Sequence, residues 1–214
     1  HTLNWIPHTY NVRTAWALLQ LASATGIREY RQAALSNADW AVAQQCPTGW
    51  FRQNDFRESS FATLQTIGYA MRGLMEIGAA THESRYLDAA LRAAQALHEL
   101  WLDARLLPGN FRQDWTSDVT WRCLPGEAQL ALDWLRIDQI LNRWEFRQAA
   151  CDLLEEVKRA QLLDTADPDL YGGLTAGYPI DAGDEPYCLV GWGAKFLIDA
   201  LILKSRTNAA ASDD

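Results

Sequence analysis

Acidic side chains in two polar segments of the chain are the residues best suited to acid and base chemistry. Asp55 lies in the first segment, and Asp114 and Asp118 lie in the second. Cleavage of a glycosidic bond needs two carboxyl groups, one acting as acid and the other as base or nucleophile. Each of these residues could instead cap a helix or close a turn. Because spacing along the chain fixes no distance between loops, the sequence leaves both interpretations open.

A second set of residues suits removal of a proton next to a carboxylate. This reaction needs a base such as Tyr or His, and a cation that neutralises the acid group. The chain offers both, in His8, Tyr10, Tyr178, Arg13 and Lys195. The cations could equally pair with neighbouring Asp or Glu. The sequence therefore does not choose between hydrolase chemistry and lyase or epimerase chemistry.

Aromatic residues crowd the same polar segments. A sugar packs its C–H groups on an aromatic face, while its hydroxyls need polar partners at the edge of the ring. For Trp50, Trp121 and Trp192, packing in the centre of the protein is an equal alternative. The predicted substrate-binding residues are His8, Tyr10, Arg13, Trp50, Arg112, Trp121, Trp192 and Lys195. The predicted catalytic residues are Asp55, Asp114, Asp118 and Tyr178.

Internal repeats indicate the elements that position these residues. Aromatic residues followed by similar helical sequence recur at Tyr30, Tyr86 and Phe146, at intervals of 56 and 60 residues. A second apolar run lies twelve positions before each of them, and a fourth copy of this run is found at 200–203. Each repeat therefore predicts a pair of helices, and the fourth copy predicts one more.

The apolar periodicity predicts seven helices and essentially no sheet. The first helix of each repeat is predicted at 11–25, 64–80, 124–141 and 190–205, and the second at 28–45, 84–103 and 144–162. The fold class is therefore all-α, with about three and a half helical hairpins in one domain over 1–207. The small polar residues of 208–214 predict a disordered tail.

The connections between helices differ in length. Links from a first to a second helix are short, whereas those from a second to a first helix span about 46–62, 104–121 and 163–188. Loops above roughly 12–15 residues are usually functional. In an up-and-down array the long links share one face, so we expect them to converge where the first helices begin. Helix N-termini carry roughly half a positive charge, which favours carboxylates or sulfates at this face.

Four segments carry a resemblance to a known superfamily. They are Tyr10–Leu19, Thr66–Leu74, Cys123–Ala131 and Gly172–Ile180, the last followed by Trp192–Phe196. With the hairpin length, they resemble the (α/α) toroids of six-hairpin glycosidase-like proteins, which include unsaturated glucuronyl hydrolases and polysaccharide lyases. More closely, the chain is similar to uncharacterised bacterial proteins found with polysaccharide genes and related to glucuronyl C5-epimerase helical domains.

The chain departs from that pattern at two positions. Gln65 stands where the family often has His, and Pro125 stands where it often has Thr. A catalytic role that rests on this His is therefore absent here. The chain also has fewer hairpins than a closed ring, so we expect a partial toroid or a fragment of a larger one. Unpaired apolar faces at its ends predict self-association or low stability.

The resemblance implies a carbohydrate-active protein that binds or processes an acidic polysaccharide or oligosaccharide. Hydrolase, lyase and epimerase activities are all consistent with it, because one fold hosts many chemistries. The alternative is a non-catalytic helical-repeat module that binds a glycan or a protein partner. Whether the chain is an enzyme is left open.

Composition and charge exclude several other classes. The 214 residues carry a net charge of −8 at pH 7 without a basic cluster, so nucleic acid is not an expected partner. No apolar run reaches the roughly 20 residues of a membrane span. The four cysteines and four histidines lack zinc-ligand spacing, so we expect no metal or cofactor. Unpaired cysteines favour the cytoplasm, although a targeting segment could precede His1.

Overall fold

The computed structural model describes residues 6–56 and 60–210 of the chain. Helices dominate the described part, and a short 3-10 helix at Thr9–Asn11 precedes the first of them. The α-helices are α1 (Val12–Thr25), α2 (Arg28–Ala43), α3 (Leu64–Thr81), α4 (Ser84–Ala104), α5 (Leu124–Leu141), α6 (Trp144–Arg159) and α7 (Gly191–Ala210). The predicted all-α class is confirmed.

Most helix ends lie within two or three residues of their predicted positions. The agreement is best for α5, whose observed and predicted bounds are the same. The largest difference is at α7, which continues to Ala210 and so enters the segment 208–214 that was expected to be a disordered tail. Residues 211–214 of that tail lie outside the described residues.

Short strands interrupt the long connections, and the small sheets that they form agree with the expectation of essentially no sheet. They are β1 (Ala62–Thr63), β2 (Asn110–Phe111), β3 (Arg122–Cys123) and β4 (Gly177–Tyr178). Strands β3 and β4 pair antiparallel, with Arg122 opposite Tyr178 and Cys123 opposite Gly177. Two residues are too few for an alternating apolar pattern, which is why the sequence does not predict these strands.

Two compact units divide the chain. Unit 1 lies within His1–Ala96 and Phe111–Thr116, and unit 2 lies within Leu97–Asn110 and Ser117–Asp214. Helix α4 contributes to both units. The expected single domain over 1–207 and the expected self-association stay predictions. No described helix is both long enough and apolar enough to span a bilayer.

Helix α3 is largely buried, and α1 packs closely against it within unit 1. The contact is made at Gly73, where an added Cβ would lie 2.5 Å from the carbonyl carbon of Val12. A larger residue would therefore push the beginning of α1 away from α3. Thr63 starts α3 by accepting a hydrogen bond from the amide of Thr66, as an N-cap residue does.

Helix α5 forms the centre of unit 2 and packs against α6 and α7. Its residues are buried on nearly every side, from Leu124 to Asp138. The beginnings of α5 and α7 lie side by side. A Cβ atom added to Gly193 of α7 would be 3.2 Å from Cγ of Pro125 in α5. The starts of two first helices thus meet at one end of unit 2.

Candidate functional site

The long connection after α6 folds back on itself at the end of unit 2 where α5 and α7 begin. The amide of Val190 donates to the carbonyl of Leu174, and the amide of Tyr187 donates to that of Ile180. We call residues 174–190 the aromatic loop. Its strand β4 pairs with β3, which directly precedes α5, and its last residue directly precedes α7. The loop is therefore held at the N-termini of both helices, as its length predicts.

Large aromatic side chains of this region are left in solvent. Tyr178 is 50% exposed and Tyr187 is 72% exposed, and both lie in the aromatic loop. Trp192, in the first turn of α7, is 43% exposed. Exposed aromatic residues that come from adjacent segments mark a binding surface more often than isolated ones do. The end of unit 2 therefore carries a candidate site for a ligand with apolar faces.

A buried ion pair supports the ring of Tyr178. Nε of Arg122 donates to Oε1 of Glu127 at 2.8 Å, and its Nη2 donates to Oε2 at 2.6 Å. The guanidinium carbon lies 5.7 Å from the centre of the Tyr178 ring. Burial raises the pKa of Glu127, and the hydrogen bonds from Arg122 oppose this rise. Those same hydrogen bonds raise the pKa of Arg122.

Trp121 packs against the backbone of two glycines. A Cβ added to Gly109 would lie 2.1 Å from its Cζ3 atom, and one added to Gly183 would lie 3.3 Å from its Cε3 atom. The carbonyl of Trp121 also accepts a hydrogen bond from the amide of Gly109 at 2.8 Å. Of the two interpretations given to Trp121, this arrangement favours packing, with the ring fixing the loop before α5 against the aromatic loop.

The positive charges near the exposed aromatic residues are compensated. Nζ of Lys195 lies 2.6 Å from Oδ2 of Asp199, one turn further along α7. Arg122 is neutralised by Glu127 in the same way. The aromatic loop adds three exposed acidic residues, Asp181, Asp184 and Glu185. The charge around this candidate site is therefore neutral to negative.

A second cluster, in unit 1, contains several of the predicted residues. The rings of His8 and Tyr10 stack with centroids 5.0 Å apart, and Phe56 lies 5.2 Å from Tyr10. Burial raises the pKa of Tyr10, and the negative charge of Asp55 adds to the rise. Oδ1 of Asp55 accepts a hydrogen bond from the amide of Phe56. Three predicted site residues, His8, Tyr10 and Asp55, thus lie together.

Arg13 lies over another aromatic ring of unit 1. Its guanidinium carbon is 4.9 Å from the centre of the Tyr69 ring. The hydroxyl of Tyr69 accepts a hydrogen bond from Nε2 of Gln65 at 2.9 Å. Gln65, one of the two positions at which the sequence departs from the pattern of the proteins it resembles, therefore contacts the aromatic ring over which Arg13 lies. Sequence reasoning missed Tyr69, which follows Gln65 by one helical turn.

The remaining predicted tryptophan of unit 1 is a core residue. Trp50 is 6% exposed, and its Nε1 donates to the carbonyl of Phe111. The neighbouring Arg112 lies with its guanidinium carbon 4.6 Å from the centre of the Phe61 ring. These contacts favour packing for Trp50, while Arg112 is exposed.

The acidic residues of the second long connection differ in their surroundings. Oδ1 of Asp114 accepts hydrogen bonds from the amide and the hydroxyl of Thr116. These bonds lower the pKa of Asp114, as is typical of a turn-forming aspartate. Asp118 is exposed. No group of three or more His, Cys, Asp or Glu side chains suited to a metal ion occurs in the described part of the chain.

Sequence reasoning also missed Arg122 as a site residue. Its pairing with Tyr178 depends on the register of two strands that are too short to predict. The available signal was an arginine five positions before Glu127, which the sequence places at the start of a helix. An anion in a first helical turn is stabilised by the helix dipole alone, so the sequence required no partner for it.

Comparison with known proteins identifies the fold. No protein-family model matches the sequence, and no curated protein sequence matches it. A D-mannose isomerase superimposes with a TM-score of 0.72 at 17% identity, over 94% of this chain and 56% of the isomerase. A GH76 α-mannanase from Bacteroides thetaiotaomicron gives 0.68 at 18% identity, over 97% and 55%. Cellobiose 2-epimerase from Spirochaeta thermophila gives 0.57 at 15%, over 92% and 58%.

The chain spans a little over half the length of each of these three proteins. The neighbours have the helical-hairpin architecture that the sequence repeats predict, so the resemblance stated from sequence is confirmed at the level of fold. The chain shares the helical fold of these neighbours and is consistent with part of an (α/α) toroid.

Proposed function

We propose that this chain is part of a carbohydrate-active protein and that the aromatic loop and the start of α7 bind a sugar. The observation that carries the proposal is the exposure of Tyr178, Tyr187 and Trp192 at the N-termini of two first helices. Aromatic faces pack on the C–H groups of a sugar ring, and polar groups at their edges bond its hydroxyls. The aromatic loop also contains exposed acidic residues, whose carboxylates can accept hydrogen bonds from sugar hydroxyls.

The names of the structural neighbours agree with this proposal. They describe an isomerase of mannose, a mannanase and an epimerase of cellobiose, all of which act on sugars. At identities of 18% and below, these neighbours do not select one reaction for this chain. We therefore propose a hydrolase, lyase or epimerase type of activity, with Asp55, Asp114, Asp118 and Tyr178 as the candidate catalytic residues.

We assign recognition of an acidic sugar to the arginines of unit 1. Arg13 and Arg112 each lie over an aromatic ring, at 4.9 Å from Tyr69 and 4.6 Å from Phe61. Arginine favours bidentate bonding to carboxylates, and packing on an aromatic ring is compatible with this role. A uronate or a sulfated sugar is the ligand with the matching charge.

A non-catalytic binding module is the second candidate. It is favoured by two carboxylates that already have structural roles. Both oxygens of Glu127 are bonded to Arg122, and Asp114 closes a turn with Thr116. Because these two carboxylates already form structural hydrogen bonds, either other residues serve as catalytic acid and base, or the chain binds its ligand without catalysis.

Calorimetric titration with neutral and uronic oligosaccharides tests the proposal. We expect Trp192→Ala to weaken binding of both ligands roughly 3- to 10-fold, since a lost aromatic contact costs about 0.5–1.5 kcal/mol. We expect Arg13→Ala to weaken the uronic ligand far more than the neutral one. Trp144→Ala is the matched control, because Trp144 is 71% exposed and begins α6, beyond the other end of α5.

Two outcomes would contradict this proposal. If Trp144→Ala and Trp192→Ala reduce affinity equally, the exposed rings near the aromatic loop are not a specific site. An equal loss of both ligands in Arg13→Ala would end the assignment of acidic-sugar recognition to unit 1. Turnover of either ligand by the unaltered chain would favour the enzyme over the binding module.

A further inference from the structure

We infer that Arg122 is a positioning residue that holds the ring of Tyr178 as a platform for an uncharged sugar residue, and that it does not bind an anionic group itself. This inference rests on the proposed function, because it assigns roles within the same site.

Strand register brings the two side chains together. Arg122 and Tyr178 are directly opposite each other in the antiparallel pair of β3 and β4. Side chains at opposite positions project from the same face of a sheet, with Cβ atoms about 4.5–5.5 Å apart. The guanidinium carbon consequently lies 5.7 Å from the ring centre, within the roughly 6 Å over which a cation attracts an aromatic face.

Glu127 fixes the guanidinium in this position. The side chain of Glu127 is 1% exposed and that of Arg122 is 12% exposed, so solvent screens their attraction very little. Two parallel hydrogen bonds, of 2.8 and 2.6 Å, set the plane of the guanidinium as well as its position. Glu127 itself lies in the first turn of α5, a rigid element. The cation beneath Tyr178 is therefore anchored to the central helix of unit 2.

This anchoring leaves the Tyr178 ring available to a ligand. The residue is 50% exposed although its ring borders a nearly buried guanidinium. A ring fixed in advance loses less conformational entropy when a sugar stacks on it. The contact with Arg122 thus holds the Tyr178 ring ready for stacking, while Arg122 itself does not contact the ligand.

The same ion pair makes Arg122 a poor site for an anion. Glu127 already engages Nε and Nη2 of Arg122 and neutralises its charge, and the Arg122 side chain is only 12% exposed, so a ligand carboxylate would lose its hydration without meeting a net positive charge. The negative charge of Glu156 also acts on both Arg122 and Glu127 and adds repulsion. The platform therefore accepts an uncharged sugar residue.

Arg122→Lys tests this role because it keeps the charge and removes the planar fork. We expect it to weaken neutral and uronic oligosaccharides by the same factor, roughly 3- to 10-fold, the range of one aromatic contact. In a chain that also carries Tyr178→Ala, Arg122→Lys should cause no further loss of affinity. Arg147→Lys is the matched control, since Arg147 pairs with a carboxylate of Asp138 that is 1% exposed near the opposite end of α5.

Three results would overturn the inference. Selective loss of the uronic ligand in Arg122→Lys would identify Arg122 as an anion-binding residue. Unchanged affinity for both ligands would remove its positioning role. The ion pair would act on folding, and not through the Tyr178 ring, if Arg122→Lys caused the same loss of affinity in a chain that also carries Tyr178→Ala. An equal loss of affinity in Arg147→Lys would have the same meaning.

A second measurement separates this inference from the proposed function. With 3-fluorotyrosine incorporated and the Tyr178 signal assigned by Tyr178→Phe, ¹⁹F NMR reports the surroundings of the ring without any sugar. We expect Arg122→Lys to move this signal toward that of a free tyrosine, and Arg147→Lys to leave it in place. If the signal moves and the unaltered chain binds no sugar, the proposed function fails while the positioning of Tyr178 stands. An unmoved signal overturns the positioning itself.

Discussion

Removing Arg122 should make the stability of this protein depend on pH, because Glu127 would lose its counter-charge. The Glu127 side chain is 1% exposed, and burial already raises its pKa even with Arg122 in place. In Arg122→Gln the opposing hydrogen bonds and positive charge disappear, so this pKa rises further. The folded state then holds a proton on Glu127 at pH values where the unfolded chain has released it.

The sign of the effect follows from that difference in proton binding. When the folded pKa lies above the unfolded pKa, stability is fully present below the unfolded pKa and falls as pH rises toward the folded pKa. The cost cannot exceed that of protonating the carboxyl group, which is about 1.36 kcal/mol for each pH unit above about 4.3. This ceiling is about 1 kcal/mol at pH 5 and about 5 kcal/mol at pH 8. At pH 7 the ceiling is about 4 kcal/mol, which is comparable with the roughly 3–5 kcal/mol that breaking a buried ion pair usually costs.

Urea unfolding at pH 5 and at pH 8 measures the effect. We expect Arg122→Gln to lose about 1 kcal/mol or less relative to the unaltered chain at pH 5 and several times more at pH 8. The double variant Arg122→Gln with Glu127→Gln should lose this pH dependence. Arg105→Gln, which breaks a pair with Asp152 whose side chains are 56% and 40% exposed, should change stability little at either pH. A loss that is equal at both pH values would refute the reasoning, since it would mean that Glu127 remains charged or becomes solvated.

Two further predictions concern the packing of the central helices. Gln129→Met should raise the free energy of unfolding in urea by about 1 kcal/mol. Gln129 is fully buried, and neither of its side-chain amide atoms has a hydrogen-bond partner among the described residues. A clear loss of stability would mean that internal water bonds the amide. Gly73→Ala should cost about 1–3 kcal/mol, because its Cβ would meet the backbone of Val12 at 2.5 Å. Gly191→Ala, with no atom within 4 Å of its Cβ, is the control, and equal losses in the two variants would contradict the close approach of α1 to α3.

Three tryptophans that the sequence predicts to bind substrate show that residue type alone does not assign a function. Trp50, Trp121 and Trp192 have the same side chain, and each lies in or next to a long connection between helices. Trp50 is buried, Trp121 packs on two glycines and Trp192 is exposed. The sequence offered packing and binding as equal alternatives, because burial depends on what the rest of the chain places around a ring. Only tertiary contacts distinguish them.

The sequence by itself determined the helices, their pairing into hairpins and the end of unit 2 at which the aromatic loop lies. Helical periodicity is a local property, since each turn is stabilised by residues three and four positions apart, and the bounds of α5 could be read from it directly. Loop length then followed from the helix bounds.

Tertiary structure alone decided how the site is assembled. Arg122 reaches Tyr178 only because two short strands, 56 positions apart in the chain, pair in one register. Glu127 fixes that arginine because both are shielded from water at the start of α5. Such contacts join residues that are distant in sequence, and their strength depends on burial. For that reason no pattern along the chain encodes them.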